Sequence, residues 1–264
     1  MKESLKKEVN SFDKYDKPRL CVIQIGDDAA SNTYVKGKKK DAEELGIIFD
    51  HIHVRDYEKA SEEELIDMIS EINDMSIVSG IIIQLPIPNR YDIKKLQKCI
   101  SPEKDVDGFR RDSLFTPCTP KGIMDYLYYN DINLSGKVCT VIGRSDIVGK
   151  PLVNLLIERG ATVINCNSKT PDVKNFTKES DIVISAIGKA NYFDKSYFTN
   201  GQVLVDVGIN RDENGKLCGD IREDAKENML LATPVPCGIG LCTRITLMEN
   251  TINAYKIRRD LWKK

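Results

Sequence analysis

The stretch KVCTVIGRSDIVGKPL, residues 137–152, decides how the chain reads. Lys137 to Gly143 is a run of β-branched and small apolar residues closing on a glycine, as a buried strand does. Gly143 to Gly149 has the length of a dinucleotide-binding turn, and Lys150, Pro151, Leu152, Val153, Leu155 and Leu156 open a helix that ends at Gly160. Together they place backbone N–H groups and the positive end of a helix where a phosphate can sit. Ser145 occupies the middle glycine position of Gly-x-Gly-x-x-Gly, so a plain tight strand-to-helix connection stands as the alternative.

The next strand, Ala161 to Cys166, runs into Asn167, Ser168, Lys169 and Thr170. A site for NAD carries an acidic residue near this point to bind the ribose 2′-hydroxyl. Here hydroxyls and a cation stand instead, and Arg144 with Ser168 and Lys169 suits a 2′-phosphate, so NADP is the expected cofactor. Apolar strands at Ile182–Ile187 and Val203–Val207 continue a doubly wound pattern.

At 264 residues the chain has room for two modest domains. Lys and Arg total 39 against 40 Asp and Glu, and a net charge of −1 gives no electrostatic case for nucleic acid or an anionic membrane. No run has the length of a spanning helix and MKESLKKEVN lacks the apolar core of a signal peptide, so a cytoplasmic protein is expected. The eight cysteines form no C-x-x-C pair and read as reduced thiols rather than as a metal site or disulfide framework. His51 and His53, the only histidines, alternate along a short strand as partly exposed positions. Acid–base chemistry therefore falls to another residue type.

In the N-terminal half, a strand at 19–25 ends at Gly26, and a capped helix runs to Leu45 and stops at Gly46. Lys39 and Lys40 have Glu43 and Glu44 four residues on and form a solvated face with Lys36. Lys38 instead lines up with Tyr34, Ala42 and Leu45 on the apolar stripe. A lysine there is either snorkelling at a domain edge or functional, with a pKa lowered by burial. The third strand, through Ile81, Ile82 and Ile83, meets its first polar residue at Gln84, at the carboxyl end where parallel sheets bind ligands; a glutamine satisfying the backbone is the alternative. A helix over 91–100 follows. In SPEKDVDGF, Phe109 and Thr116 stand where a calcium loop needs oxygen ligands, so Asp105 and Asp107 are not read as a calcium site. Asp107 is either a solvated turn residue or a carboxylate placed to accept two parallel N–H bonds. A helix from Lys121 to Tyr129 marks the domain change, 232–243 reads as a proline–glycine loop, and Arg244–Trp262 as a final helix.

GDDAASNTYVKGKKK, GIIIQLPIP, PEKDVDGF, PCTPKG, VIGRSDIVGKP, NSKT, DIVISAIGKA, VDVGIN and TPVPCGIG occur in an order that resembles the bifunctional methylenetetrahydrofolate dehydrogenase/methenyltetrahydrofolate cyclohydrolase (FolD) family over nearly the whole chain. The resemblance implies a two-domain α/β fold. Residues 1–120 with 243–264 would form the folate-binding catalytic domain and 121–242 a Rossmann-like NADP-binding domain, the last helix returning to the first. It implies oxidation of 5,10-methylenetetrahydrofolate with NADP, then hydrolysis of the methenyl product to 10-formyltetrahydrofolate. Lys38 is then the catalytic lysine, Tyr34 stacks over the folate, Gln84 positions and tunes the lysine, and Asp107 and Gly238 bind substrate. Gly143, Arg144, Ser145, Gly149, Ser168 and Ile209 correspond to the cofactor contacts, no metal is implied, and a homodimer is expected. Asn167 replaces the family's usual His, and Cys237 and Leu241 replace a glycine and a proline. The alternatives are a member with one activity and a non-catalytic folate or nucleotide sensor; Lys38, Gln84 and Asp107 together argue against the sensor.

Overall fold

The structure is a computed structural model that describes residues 1–262; the end of the expected 243–264 segment lies outside the described residues. Two compact units emerge, one of residues 1–118 together with Arg244 onward, the other of Thr119–Thr243.

The first unit opens with α1 (Lys2–Asn10), which the sequence reading had not anticipated, then β1 (Arg19–Ile25), α2 (Ala29–Leu45), β2 (Ile48–Val54), α3 (Glu62–Asp74), β3 (Gly80–Gln84) and α4 (Ile93–Lys98). The strands form a parallel sheet in the order β2-β1-β3, with Leu20 opposite Phe49 on one side and Gly80 on the other. Successive side chains of a strand point to opposite faces, and both faces here are apolar. Leu20, Val22 and Ile82 meet Val35, Ala42 and Leu45 of α2, whereas Cys21, Ile23, Ile81 and Ile83 meet Leu65, Ile69 and Ile72 of α3. Asp28 caps α2 by accepting from the Ser31 N–H at 2.7 Å, and Gly46 ends it in the left-handed region. Because the chain leaves β1 for β2 on one side and returns to β3 on the other, the carboxyl ends of β1 and β3 form a switch point, where Gln84 sits.

The second unit takes most of α5 (Cys118–Tyr129), then β4 (Val138–Ile142), α6 (Gly149–Glu158), β5 (Thr162–Cys166), α7 (Val173–Lys178), β6 (Ile182–Ser185), β7 (Val203–Asp206), the hairpin β8 (Asn210–Arg211) and β9 (Leu217–Cys218), β10 (Leu231–Ala232) and the start of α8 (Ile239–Trp262). Its parallel sheet runs β10-β7-β6-β4-β5, reversing direction between β4 and β6. Buried Val141, Ile184 and Val205 pack with Leu127, Leu152 and Leu156 on one face; Val183 and Leu204 pack with Phe193 and Ile221 on the other.

Several expectations are corrected. The helix placed at 121–129 begins at Cys118, since Pro120 in a first turn loses no hydrogen bond the helix would make. The final helix begins at Ile239 rather than Arg244, with the Thr243 hydroxyl donating to the Ile239 carbonyl at 3.0 Å. The helix read over 91–100 shortens to α4, Tyr91 instead burying its ring and donating its hydroxyl to the Ala60 carbonyl at 2.9 Å. The polar segment after Val207 contains an antiparallel hairpin.

Candidate active site

In the first unit, Lys38 lies on the inward stripe of α2 with 5% of its surface exposed. Its Nζ donates to Gln84 Oε1 at 3.0 Å and stands 5.2 Å from the centre of the Tyr34 ring. Gln84 Nε2 donates to the Leu85 carbonyl at 2.7 Å, which turns the amide so that its oxygen faces the lysine. Burial pushes the Lys38 ammonium pKa down; nearby Asp107 and Cys118 oppose this and Arg244 adds to it.

Asp107 is fixed by its loop. Gly108 has φ +72°, and a Cβ there would lie 2.7 Å from the Phe115 carbonyl oxygen and from Pro117 N, so the turn closes only with glycine. The Cys118 N–H donates to the Asp107 carbonyl at 3.2 Å, and Asn250 Nδ2 donates to the Val106 carbonyl at 2.9 Å and the Thr116 carbonyl at 3.2 Å. Burial raises the Asp107 carboxyl pKa, offset first by Lys38; Asp105 raises it further and the Cys118 thiol lowers it. Asp105 has a different task, accepting from the Arg110 N–H at 2.8 Å to hold the loop. The Cys118 thiol, itself pushed well up by burial and by Asp107, also donates to the Val106 carbonyl at 3.2 Å. The unit thus brings buried Lys38, Gln84 and Asp107 together with the half-buried ring of Tyr34. Sequence reading missed Cys118, Asn250 and Arg244 as their neighbours; a cysteine directly after the apparent loop proline was the one available signal.

His51 and His53 lie on the edge strand β2, with Nε2 atoms 3.1 Å from Gln24 Oε1 and 2.8 Å from the Gly26 carbonyl, apart from this cluster. Among the described residues, no group of three or more His, Cys, Asp or Glu side chains is arranged to hold a metal, and no helix is long and apolar enough to cross a membrane.

The second unit builds a site mainly from backbone. Gly143 has φ +129° and a Cβ there would lie 2.6 Å from the Ala186 carbonyl oxygen; one on Gly149 would lie 2.4 Å from the Gly143 oxygen. Both positions therefore require glycine, because other backbone packs directly against them and the turn between β4 and α6 closes only without side chains there. Ser145 Oγ accepts from the Val148 and Gly149 N–H groups at 3.2 and 3.3 Å, so the residue in place of the middle glycine caps the entry to α6. Ile142 pairs with Cys166, which brings Arg144 and Ser168, both exposed, to the same sheet end. Asn167 uses its side chain within its own turn, accepting from the Lys169 N–H at 3.0 Å. Ile209 is 55% exposed. Gly238 lies in the second unit, where a Cβ would meet the Pro234 oxygen at 2.3 Å, and Cys237 before it takes φ +76°.

Two buried carboxylates that sequence reading did not single out hold these loops. Asp220 accepts from the Ser185 hydroxyl and the Ile187 N–H through Oδ2, both at 2.8 Å, and from the Lys189 N–H and Asn210 Nδ2 through Oδ1 at 2.9 and 3.0 Å. Asp206 accepts from the Gly208 and Asp220 N–H groups through Oδ1 at 3.2 and 2.9 Å, and its Oδ2 lies 3.4 Å from Lys226 Nζ. Their sequence trace is slight: Asp206 is an acid closing an apolar strand.

Residues 1–107 match the family model of the tetrahydrofolate dehydrogenase/cyclohydrolase catalytic domain, and residues 117–259 match that of the NAD(P)-binding domain. The chain is 42% identical over 273 residues to the bifunctional protein FolD of Staphylococcus epidermidis, an alignment covering 99% of this chain and 95% of that one. The crystal structure of the methylenetetrahydrofolate dehydrogenase/cyclohydrolase FolD from Campylobacter jejuni superposes with a TM-score of 0.91 at 39% identity, covering 97% of this chain and 95% of that one. The Trypanosoma brucei enzyme, solved with NADP cofactor and an inhibitor, superposes with a TM-score of 0.90 at 29% identity, covering 97% and 93%.

Proposed function

The chain belongs to the tetrahydrofolate dehydrogenase/cyclohydrolase family, and from that premise we propose that it oxidises 5,10-methylenetetrahydrofolate with NADP and hydrolyses the resulting 5,10-methenyltetrahydrofolate to 10-formyltetrahydrofolate. The observation that carries the reading is the buried Lys38–Gln84 hydrogen bond of 3.0 Å beside Tyr34.

Asp107 accepts two parallel N–H bonds from the pterin edge, and the Tyr34 ring supplies a flat apolar surface for the folate. NADP, when bound, accepts the hydride. The glycine turn suits its pyrophosphate, and Arg144 with Ser168 suits the 2′-phosphate, with no acid at the end of β5 to select NAD. Hydride transfer needs orientation but no proton acceptor. Attack of water on the methenyl carbon must shed a proton, and Lys38 in its amine form, held by Gln84, takes it. Burial favours that form. The reading includes a cytoplasmic homodimer.

Absorbance of methenyltetrahydrofolate tests the proposal. With methylenetetrahydrofolate and NADP the signal is expected to rise and then decay; persistence of the methenyl product, or no signal, would overturn the two-step assignment. Light scattering of the purified chain checks the dimer.

A further inference from the structure

α2 carries a glycine in mid-helix, where glycine costs about 1 kcal/mol relative to alanine. The reason lies on α8. A Cβ on Gly37 would come within 2.0 Å of Arg244 Nη1 and 3.0 Å of its Cζ, so the guanidinium occupies the notch that the missing side chain leaves. Arg244 Nε stands 2.8 Å from Asp41 Oδ2, one helical turn further along α2. The N–H direction does not complete a hydrogen bond, and both atoms are buried with no such partner among the described residues. The contact is therefore one of charge. Asp41 is itself buried, and its Oδ1 accepts from Lys2 Nζ at 2.8 Å. Glycine, carboxylate and guanidinium fit one another three ways.

We propose that Arg244, seated in the Gly37 notch and pinned by Asp41, is a positioning residue that holds a permanent positive charge against Lys38, so that the amine rather than the ammonium meets the substrate. The proposal rests on Lys38 as the base of the hydrolytic step. The groups that face Lys38 are Tyr34 on α2, Gln84 on β3, Asp107 on its loop with Asp105 behind, Cys118 at the head of α5 and Arg244 on α8. Asp107 and Cys118 favour the protonated lysine, whereas Arg244 is the cation that opposes it. Burial does most of the lowering, and Arg244, whose charge is shared with Asp41, adds the last and smallest push against Asp107 and Cys118.

The test is the pH profile of methenyltetrahydrofolate hydrolysis for Arg244→Met, Arg244→Lys and Gly37→Ala. Loss of the cation should move the rise in rate upward by about one pH unit, a tenfold loss below the rise with the high-pH plateau kept. Arg244→Lys should stay close to wild type. Gly37→Ala keeps every charge but displaces the guanidinium, and should shift the profile in the same direction. A merely structural clamp would lower the plateau and leave the midpoint in place, which overturns the proposal, as does an Arg244→Met profile that superimposes on wild type. A 13C-lysine NMR titration of Lys38, its signal identified by loss in Lys38→Met, reads the amine without turnover. A shifted titration with unchanged hydrolysis would retain Arg244's effect and reject Lys38 as the base; an unshifted titration rejects Arg244's effect, even in Gly37→Ala alone.

Discussion

The two units make their sites from different materials. In the first, side chains do the work: an amine, a carboxylate and a thiol from distant parts of the chain are withdrawn from water near one another, and each is displaced from its ordinary titration by burial. In the second, the turn at Gly143 and Gly149 is shaped by backbone, and Arg144 and Ser168 remain in solvent. The first arrangement suits a step that moves a proton, because a dry environment lets small displacements of charge matter. The second suits holding a polyanion, for which N–H groups and an exposed cation suffice. Removing a charge should therefore be drastic in one place and graded in the other.

The largest expected effect is that of Lys38→Met, which keeps length but not the amine. Hydrolysis should fall by about 10²–10⁴-fold, the range for a general base, while NADP reduction persists at a reduced rate. Equal loss of both activities would erase the contrast between proton transfer and positioning. Next is Asp107→Asn, where one acceptor becomes a donor; folate binding should weaken by about 3 kcal/mol with NADP binding unchanged, as read by calorimetry with each ligand. Arg144→Ala is its mirror. NADP should weaken by about 1.5–2 kcal/mol more than NAD, with folate affinity unaffected.

The smallest effect is on stability. The folded Lys38 pKa lies below its value of 10.5 in the unfolded chain. Between the two values the unfolded chain holds the extra proton, so stability rises with pH through that window and the penalty is complete below the folded value. Lys38→Met should remove the slope and stabilise the protein at neutral pH by about 1.4 kcal/mol for each unit of depression. Urea midpoints at pH 7 and pH 10 measure it.

What was legible in the sequence was periodic or local. Lys38 stood out because Tyr34, Ala42 and Leu45 share its stripe, Gln84 because three isoleucines precede it, and the nucleotide turn because two glycines stand between a strand and a helix. The parallel sheets follow from the same alternation of apolar strands and helices. Arg244 left no such trace: it reaches Asp41 across some two hundred residues, and Asp41 reads as an ordinary polar residue of α2 until the guanidinium is seen beside it. Cys118 was not singled out from the other cysteines, because a thiol against a carboxylate and a thiol against leucine look alike in sequence. Asp206 and Asp220 bind backbone N–H groups, which no residue pattern encodes.

The hairpin of β8 and β9 is fastened to the rest of its unit at its root, where Asn210 and the backbone of Asp220 are held by the two buried carboxylates. Its tip, Glu213 to Lys216, is exposed, and a Cβ on Gly215 would meet nothing within 4 Å. Such a tip is a graft point: a peptide tag or a fluorophore-bearing loop spliced in at Asn214 would hang from an anchored base, giving a reporter at the surface without loosening the residues behind it.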